Sequence, residues 1–302
     1  MDETLQILEE LRPLRDPILI AAFTGGGDTA GSAAATVAYL SEHWGARRIA
    51  TIDPEPYHDF TVRRPMVRLD DGKRVLEWPD TRFHLAQPAG AGRDIVLLVG
   101  VEPSLRWRTF TEVVAELMRA VGVTTSVTLG TQPAAVPHTR ALPPVALVDA
   151  HPDIEELFGL KSITSAYQGP TDITGAMSVH HRSLGWRTAT LWATVPHYLN
   201  LGPNPNAAMA FVQTLDAALH TSTELGALEE NVRAFAARTD VAIKQSPEAE
   251  DYIRLLEERY DAASPAGRAR GDGGGPTSEL PPAAEVVDEL ERFLRERRAS
   301  GE

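Results

Sequence analysis

Six residues have side chains suited to chemistry and fall just past strand-like runs, where α/β folds place ligands: Asp28, Asp53, Glu102, His138, Arg140 and His197. A carboxylate or the His138 imidazole would act as general base, with Arg140 as a clamp for an anion. Such a set could bind and polarise a small anionic or amide substrate. The same residue types also cap helices and pair with one another to hold loops. That second reading is favoured, because no nucleophile stands beside an activating base.

A glycine loop is the next candidate. Gly25, Gly27 and Ala30 fit the spacing G-x-G-x-x-(G/A), and Asp53 ends the following strand where an acid would meet a ribose hydroxyl. However, Asp28 opens the expected helix, and its carboxylate would compete with a pyrophosphate for the free N–H groups. A tight turn that needs small residues is the simpler account. No lysine with serine or threonine follows a glycine-rich turn, and no G-x-S-x-G elbow is present. The chain has nine histidines and no H-E-x-x-H, and a metal site from the separated Asp53, His138 and His197 is a minor alternative. The lack of cysteine excludes disulfides, thiolate nucleophiles, iron–sulfur clusters and cysteine zinc sites. Neither a metal nor a cofactor is expected.

The elements that must position these residues alternate in type. Residues 17–23 form a short apolar run ending in three glycines, a helix is expected from Asp28 to Gly45, and residues 48–52 read as the next strand, a βαβ pattern. Residues 66–69 and 74–78, joined by Asp70-Asp71-Gly72, predict a hairpin, with a further strand over 82–87. DIVLLVG, residues 94–100, is the clearest buried strand, and an amphipathic helix follows over 106–120 with Gly122 at its end. Further strands are expected over 123–129, 145–148 and 188–195, with a helix ending near Gly185.

After residue 200 the pattern turns helical. Ala208, Val212, Leu215 and Leu219 share one face, Leu225, Leu228, Val232 and Phe235 another, and Ser246-Pro247 opens a third helix. The expected organisation is an α/β domain over 1–260, a flexible linker over 261–280 rich in Gly, Pro, Ser and Arg, and an amphipathic terminal helix over 281–302. An isolated helix of that length is marginal in water, so it must dock on a host surface.

The 302 residues are long enough for a core that needs no staples. Acidic groups outnumber basic ones by 42 to 29, a formal charge of −13, which disfavours a nucleic-acid partner. The first residues are acidic and polar, and no run approaches the ~20 apolar residues of a membrane span. No membrane association and a cytoplasmic location are therefore expected.

The loops carry a set of motifs in a fixed order: AAFTGGGDTAGSAA, DPEPYHDFTVRRP, VGVEPSLRW, PHTRALP, YQGPTDITG and LWATVPHYL. Together they resemble the PAC2 family, related to proteasome assembly chaperones, and its actinobacterial branch in particular. The resemblance covers roughly residues 15–260 and implies a three-layer sandwich with a mixed β-sheet, like the phosphorylase/hydrolase fold, plus C-terminal helices. It further implies a non-catalytic oligomeric assembly or interaction protein, with a homotrimer favoured and a proteasome-related protein as partner. A small-molecule hydrolase or phosphorylase-like enzyme is the alternative. Within the motifs, Gly26, Gly27, Asp28, Thr139, Gly169 and Thr171 are the candidate ligand contacts. The glycine loop and Asp172 depart from the branch's usual pattern; an acid at Asp172 would close off a helix-terminus anion site.

Overall fold

The structure, a computed structural model, describes residues 2–28, 30–199 and 202–263. In chain order the elements are β1 (Leu5–Ile7), β2 (Ile18–Thr24), α1 (Ser32–His43), β3 (Arg47–Ile52), β4 (Met66–Asp70), β5 (Lys73–Glu77), β6 (Thr81–Ala86) and β7 (Ile95–Val101). Then follow α2 (Trp107–Ala120), β8 (Thr125–Ala134), β9 (Ala146–Val148), α3 (Pro152–Phe158), α4 (Ile173–Ser183), β10 (Arg187–Pro196), α5 (Pro205–Leu219), α6 (Gly226–Ile243) and α7 (Pro247–Ala263).

Eight strands make one mixed sheet in the order β1-β3-β6-β7-β2-β8-β10-β9. The centre is parallel: β2 pairs with β7 and β8, and β8 with β10. The flanks are antiparallel, with β6 between β3 and β7 on one side and β9 on β10 at the other. The uninterrupted apolar runs of β2 and β7 follow from this position, since a central strand is covered on both faces. Alternation divides their side chains between two cores. Ile18, Ile20, Ala22, Ile95 and Leu97 join the residues of α1, α3 and α5, whereas Leu19, Ala21, Phe23, Val96 and Leu98 join those of α2 and α4. The result is a mixed α/β fold with helices on both faces of a central sheet.

One strand placement differs from the sequence expectation, and the expected hairpin forms apart from the main sheet. β3 does run parallel to β2, but β7 and β6 lie between them, so the expected βαβ unit crosses two strands. The hairpin β4–β5 forms with Asp71 and Gly72 at φ 47° and 77°, the left-handed pair that a two-residue turn requires. It does not extend the main sheet. It stands as a separate two-stranded sheet with every residue exposed.

Ser246 opens α7 as expected: its Oγ accepts the Ala249 N–H at 3.3 Å, with Pro247 in the first helical position. β1 and α3 were not anticipated. Most of the expected linker and all of the terminal helix over 281–302 lie outside the described residues.

Candidate functional site

The glycine loop folds back on itself before α1 begins. Gly25 and Asp28 exchange backbone hydrogen bonds at 3.4 and 3.2 Å, and Gly31, at φ 77°, turns the chain into the helix. The helix therefore starts at Ser32, four residues later than the sequence suggested. Asp28 still serves its N-terminus from below. One carboxylate oxygen accepts the Ala34 N–H at 2.9 Å and the other the Thr131 hydroxyl at 2.8 Å, in a fully buried position. Burial raises the Asp28 pKa above the ordinary carboxylate value, against the opposing pull of these hydrogen bonds. The free N–H groups that a pyrophosphate would use at this helix are thus taken by a side chain of the loop itself.

Glu102, at the carboxyl end of β7, holds the same loop from the other side. Its Oε2 accepts the Gly26 N–H at 2.8 Å and its Oε1 the Ile173 N–H at 2.9 Å. Asp172 is the N-cap of α4, accepting the Gly175 N–H at 2.8 Å and the Thr174 hydroxyl at 2.6 Å. These two carboxylates explain the glycines. A Cβ on Gly25 would lie 2.5 Å from Glu102 Cβ, at a φ of 153° that side chains rarely adopt, and a Cβ on Gly27 would overlap the Asp172 carboxylate.

Beside them opens a cleft of about 620 Å³ whose walls include Gly26, Glu102, Trp107, Asp149, Tyr167, Gly169, Thr171, Asp172, Arg182 and Trp192. The Arg182 guanidinium is turned onto the wall, donating to Thr188 Oγ1 and the Asp149 carbonyl, each at 3.2 Å. Trp107 is fixed by an indole N–H donated to the Pro103 carbonyl at 2.6 Å.

The remaining candidates sit where β8 and β10 end, and they meet α6 and α7 instead of the cleft. His138 contacts the Tyr198 hydroxyl at 2.7 Å through Nδ1 and Asp240 at 3.5 Å through Nε2. His197 meets the Ala134 carbonyl at 3.0 Å through Nδ1 and the Tyr252 hydroxyl at 3.2 Å through Nε2. The Arg140 guanidinium grips Asp261 with two bonds of 2.9 and 2.8 Å and reaches Glu257 at 3.2 Å, while the Thr139 hydroxyl donates to Glu257. The Tyr260 hydroxyl donates to the Ala141 carbonyl at 2.7 Å. Burial pushes the Tyr198 phenol well above its ordinary range, so it stays protonated.

The six residues with catalytic side chains are accordingly spread over several places. Asp28 faces α1, Glu102 the glycine loop, and His138, Arg140 and His197 the last two helices. Asp53 lies in a turn, where its Oδ1 accepts the Glu55 N–H at 3.0 Å. Of the candidate ligand contacts, Gly26, Gly169 and Thr171 line the cleft, Gly27 packs beside it against Asp172, and Asp28 and Thr139 turn elsewhere. Among the described residues no group of three or more His, Asp or Glu side chains is arranged to hold a metal ion. Likewise, no helix among them is long and apolar enough to cross a membrane. Sequence reasoning missed Asp240, Tyr252, Glu257 and Asp261 as partners, because nothing in the linear chain ties α6 and α7 to residues 137–141 and 197; Tyr198 stands in the motif LWATVPHYL, but its link to His138 has no local signal.

The fold that carries these residues has known counterparts. The family model for the PAC2 family matches residues 22–242. The chain belongs to the PAC2 family. A PAC2 family protein from Streptomyces avermitilis is 36% identical, with a TM-score of 0.69 over 78% of this chain and 99% of its own. A proteasome-assembly chaperone homologue of Mycobacterium tuberculosis is 35% identical, with a TM-score of 0.67 over 78% of this chain and 99% of its own. PbaB of Pyrococcus furiosus, an archaeal proteasome activator, shares the fold at 17% identity, with a TM-score of 0.62 over 79% of this chain and 98% of its own. A search of curated proteins found no match. As a PAC2 protein, the chain carries a fold consistent with an assembly or interaction role.

Proposed function

We propose that this protein is a non-catalytic, oligomeric assembly or interaction protein of the actinobacterial PAC2 branch, working in the cytoplasm through protein surfaces. The observation that carries the reading is the hairpin β4–β5. Met66, Val67, Leu69 and Leu76 are 66%, 58%, 74% and 53% exposed on it. A lone two-stranded hairpin is marginal in water, and exposed aliphatic side chains grouped on one face of it, here Val67, Leu69 and Leu76, mark an interaction surface. The PAC2 relatives point the same way, since one of them is a homologue of a proteasome-assembly chaperone. A proteasome-related protein is therefore the proposed external partner, and a homotrimer the proposed assembly.

The enzymatic alternative, on a phosphorylase- or hydrolase-like version of this fold, draws little support from the polar residues. His138, Arg140 and His197 have their polar atoms engaged by Tyr198, the Ala134 carbonyl and residues of α6 and α7, and Glu102 spends both oxygens on backbone N–H groups. Because α7 runs to Ala263, the linker expected over 261–280 is proposed to begin after that helix, and 281–302 is kept as a docking helix.

Sedimentation of the full chain, alone and with Val67→Ser, Leu69→Ser and Leu76→Ser combined, tests the reading. The wild type should sediment as a discrete oligomer and the triple variant as a monomer with an unchanged circular dichroism spectrum. A monomeric wild type, or a variant that assembles as before, would overturn it.

A further inference from the structure

The two faces of the hairpin differ in character. Its register sets Val67 opposite Leu76 and Leu69 opposite Arg74, and these four side chains share one face. The other face carries Met66, Arg68, Asp70, Lys73, Val75 and Glu77, where Arg68 and Glu77 already pair at 3.4 Å. The first face is therefore three aliphatic side chains and a single cation, Arg74, which has no ion-pair partner among the described residues. Two such faces packed on each other would bring two uncompensated guanidiniums into one apolar interface, which is costly. The complement this face needs is apolar and acidic.

The cleft beside the glycine loop has that character. It presents the carboxylates of Glu102, Asp149 and Asp172, each accepting backbone N–H groups but with no cation bound to it among the described residues, against one guanidinium, Arg182, which is engaged with its own wall. Its rim is apolar and bare, with Tyr167 69% and Val179 68% exposed. Among the described residues, hairpin and cleft are thus two unpartnered surfaces with opposite charge and matching apolar content.

We propose that the Val67, Leu69, Leu76 and Arg74 face of one copy seats in the Glu102, Asp172, Tyr167 and Val179 cleft of the next, with Arg74 meeting the cleft carboxylates. This names the partner surface for the association proposed above and rests on it. The contact is head-to-tail, because donor and acceptor are different surfaces. Such contacts close into rings when the rotation allows, in keeping with a cyclic trimer. It also gives the cleft an occupant: a protein side-chain cluster, in place of a small molecule.

The absence of cysteine makes the test direct. Leu69→Cys and Val179→Cys are prepared separately in the full-length protein, both at exposed positions. The two are allowed to exchange subunits, one bearing a mass tag, and are treated with a short bismaleimide. The expected product is a covalent dimer of one Leu69→Cys chain with one Val179→Cys chain, with neither variant linking to itself. Arg74→Glu should weaken the association by ~10-fold or more, the effect of placing like charges together. Cross-linking of Leu69→Cys to itself, or no mixed product in a sample that sediments as an oligomer, overturns the head-to-tail contact and leaves the association standing. A sample that sediments as a monomer overturns both.

Discussion

Strands β2 and β7 and hairpin strands β4 and β5 are rich in the same aliphatic residues and end in opposite environments. Every residue from Ile18 to Phe23 is buried, shared between two cores, whereas every residue of the hairpin is exposed. The central strands gain burial from helices of their own chain. The hairpin leaves the sheet after β3 and returns at β6 with no cover from the described residues, and the association proposed above gives it burial against another molecule. An aliphatic residue therefore predicts stability in one strand and association in the other. Only the topology, and not the local sequence, separates the two.

The comparison can be broken most severely in the core. Leu98→Ala removes a fully buried side chain from the core that β2 and β7 share with α2 and α4, and should lower unfolding free energy by about 2–5 kcal/mol in a urea titration. A loss well under 1 kcal/mol would mean that the central strands are no better packed than the hairpin.

A second test reads the same core by pH. Burial, with the neighbouring His180 and Arg119 adding to it, pushes the His181 pKa down to about 3. Its folded value lies below its unfolded one, so the neutral ring is favoured by folding. The stability is whole above pH ~6.5 and is lost as the pH falls toward 3, because the unfolded chain takes up the proton first. Stability should decline on the order of 3 kcal/mol between pH 7 and pH 4 from this group. His181→Gln should flatten that slope, and an unchanged slope would remove His181 from the explanation.

The matching change in the hairpin should be nearly silent in a monomer. Leu69→Ser, at an exposed position, is expected to alter unfolding free energy by no more than about 0.5 kcal/mol. The smallest effect is expected at the strap on α7. Arg140→Ala removes bonds to Asp261 and Glu257 at the surface, so the melting temperature should stay unchanged while amides of residues 247–263 exchange faster with deuterium. A lowered melting temperature would show that α7 is part of the cooperative core.

Much of the fold was legible in the residues. The runs ILIAAF and DIVLLVG announced the central strands, Asp71-Gly72 the hairpin turn, and Ser246-Pro247 the start of α7. The place of β3 in the sheet was not legible, since a strand that skips two neighbours leaves no local trace. α3 was legible and overlooked: Pro152 stands at its start, Asp153 and Glu155 in its first turn, and Gly159 at its end in the left-handed region.

The strand-end residues divide in the same way. Asp28 could be foreseen as a competitor for the helix N-terminus, because its donors lie six residues away or fewer. Its Thr131 partner, 103 residues distant, could not. Thr139 looked like a ligand contact and Arg140 like part of a catalytic set because Glu257 and Asp261, 118 and 121 residues further on, were invisible as partners. Acid, imidazole and guanidinium near strand ends describe a helix clasp as well as they describe a catalytic centre.

Hydrogen exchange over residues 66–77 of the native assembly gives the most direct reading of whether the hairpin finds cover. The amides of that stretch should be protected in the wild type and exchange rapidly once Val67, Leu69 and Leu76 are serine. Rapid exchange in the wild type, at the pace of a hairpin bathed on both faces by water, would contradict an associating role for this protein.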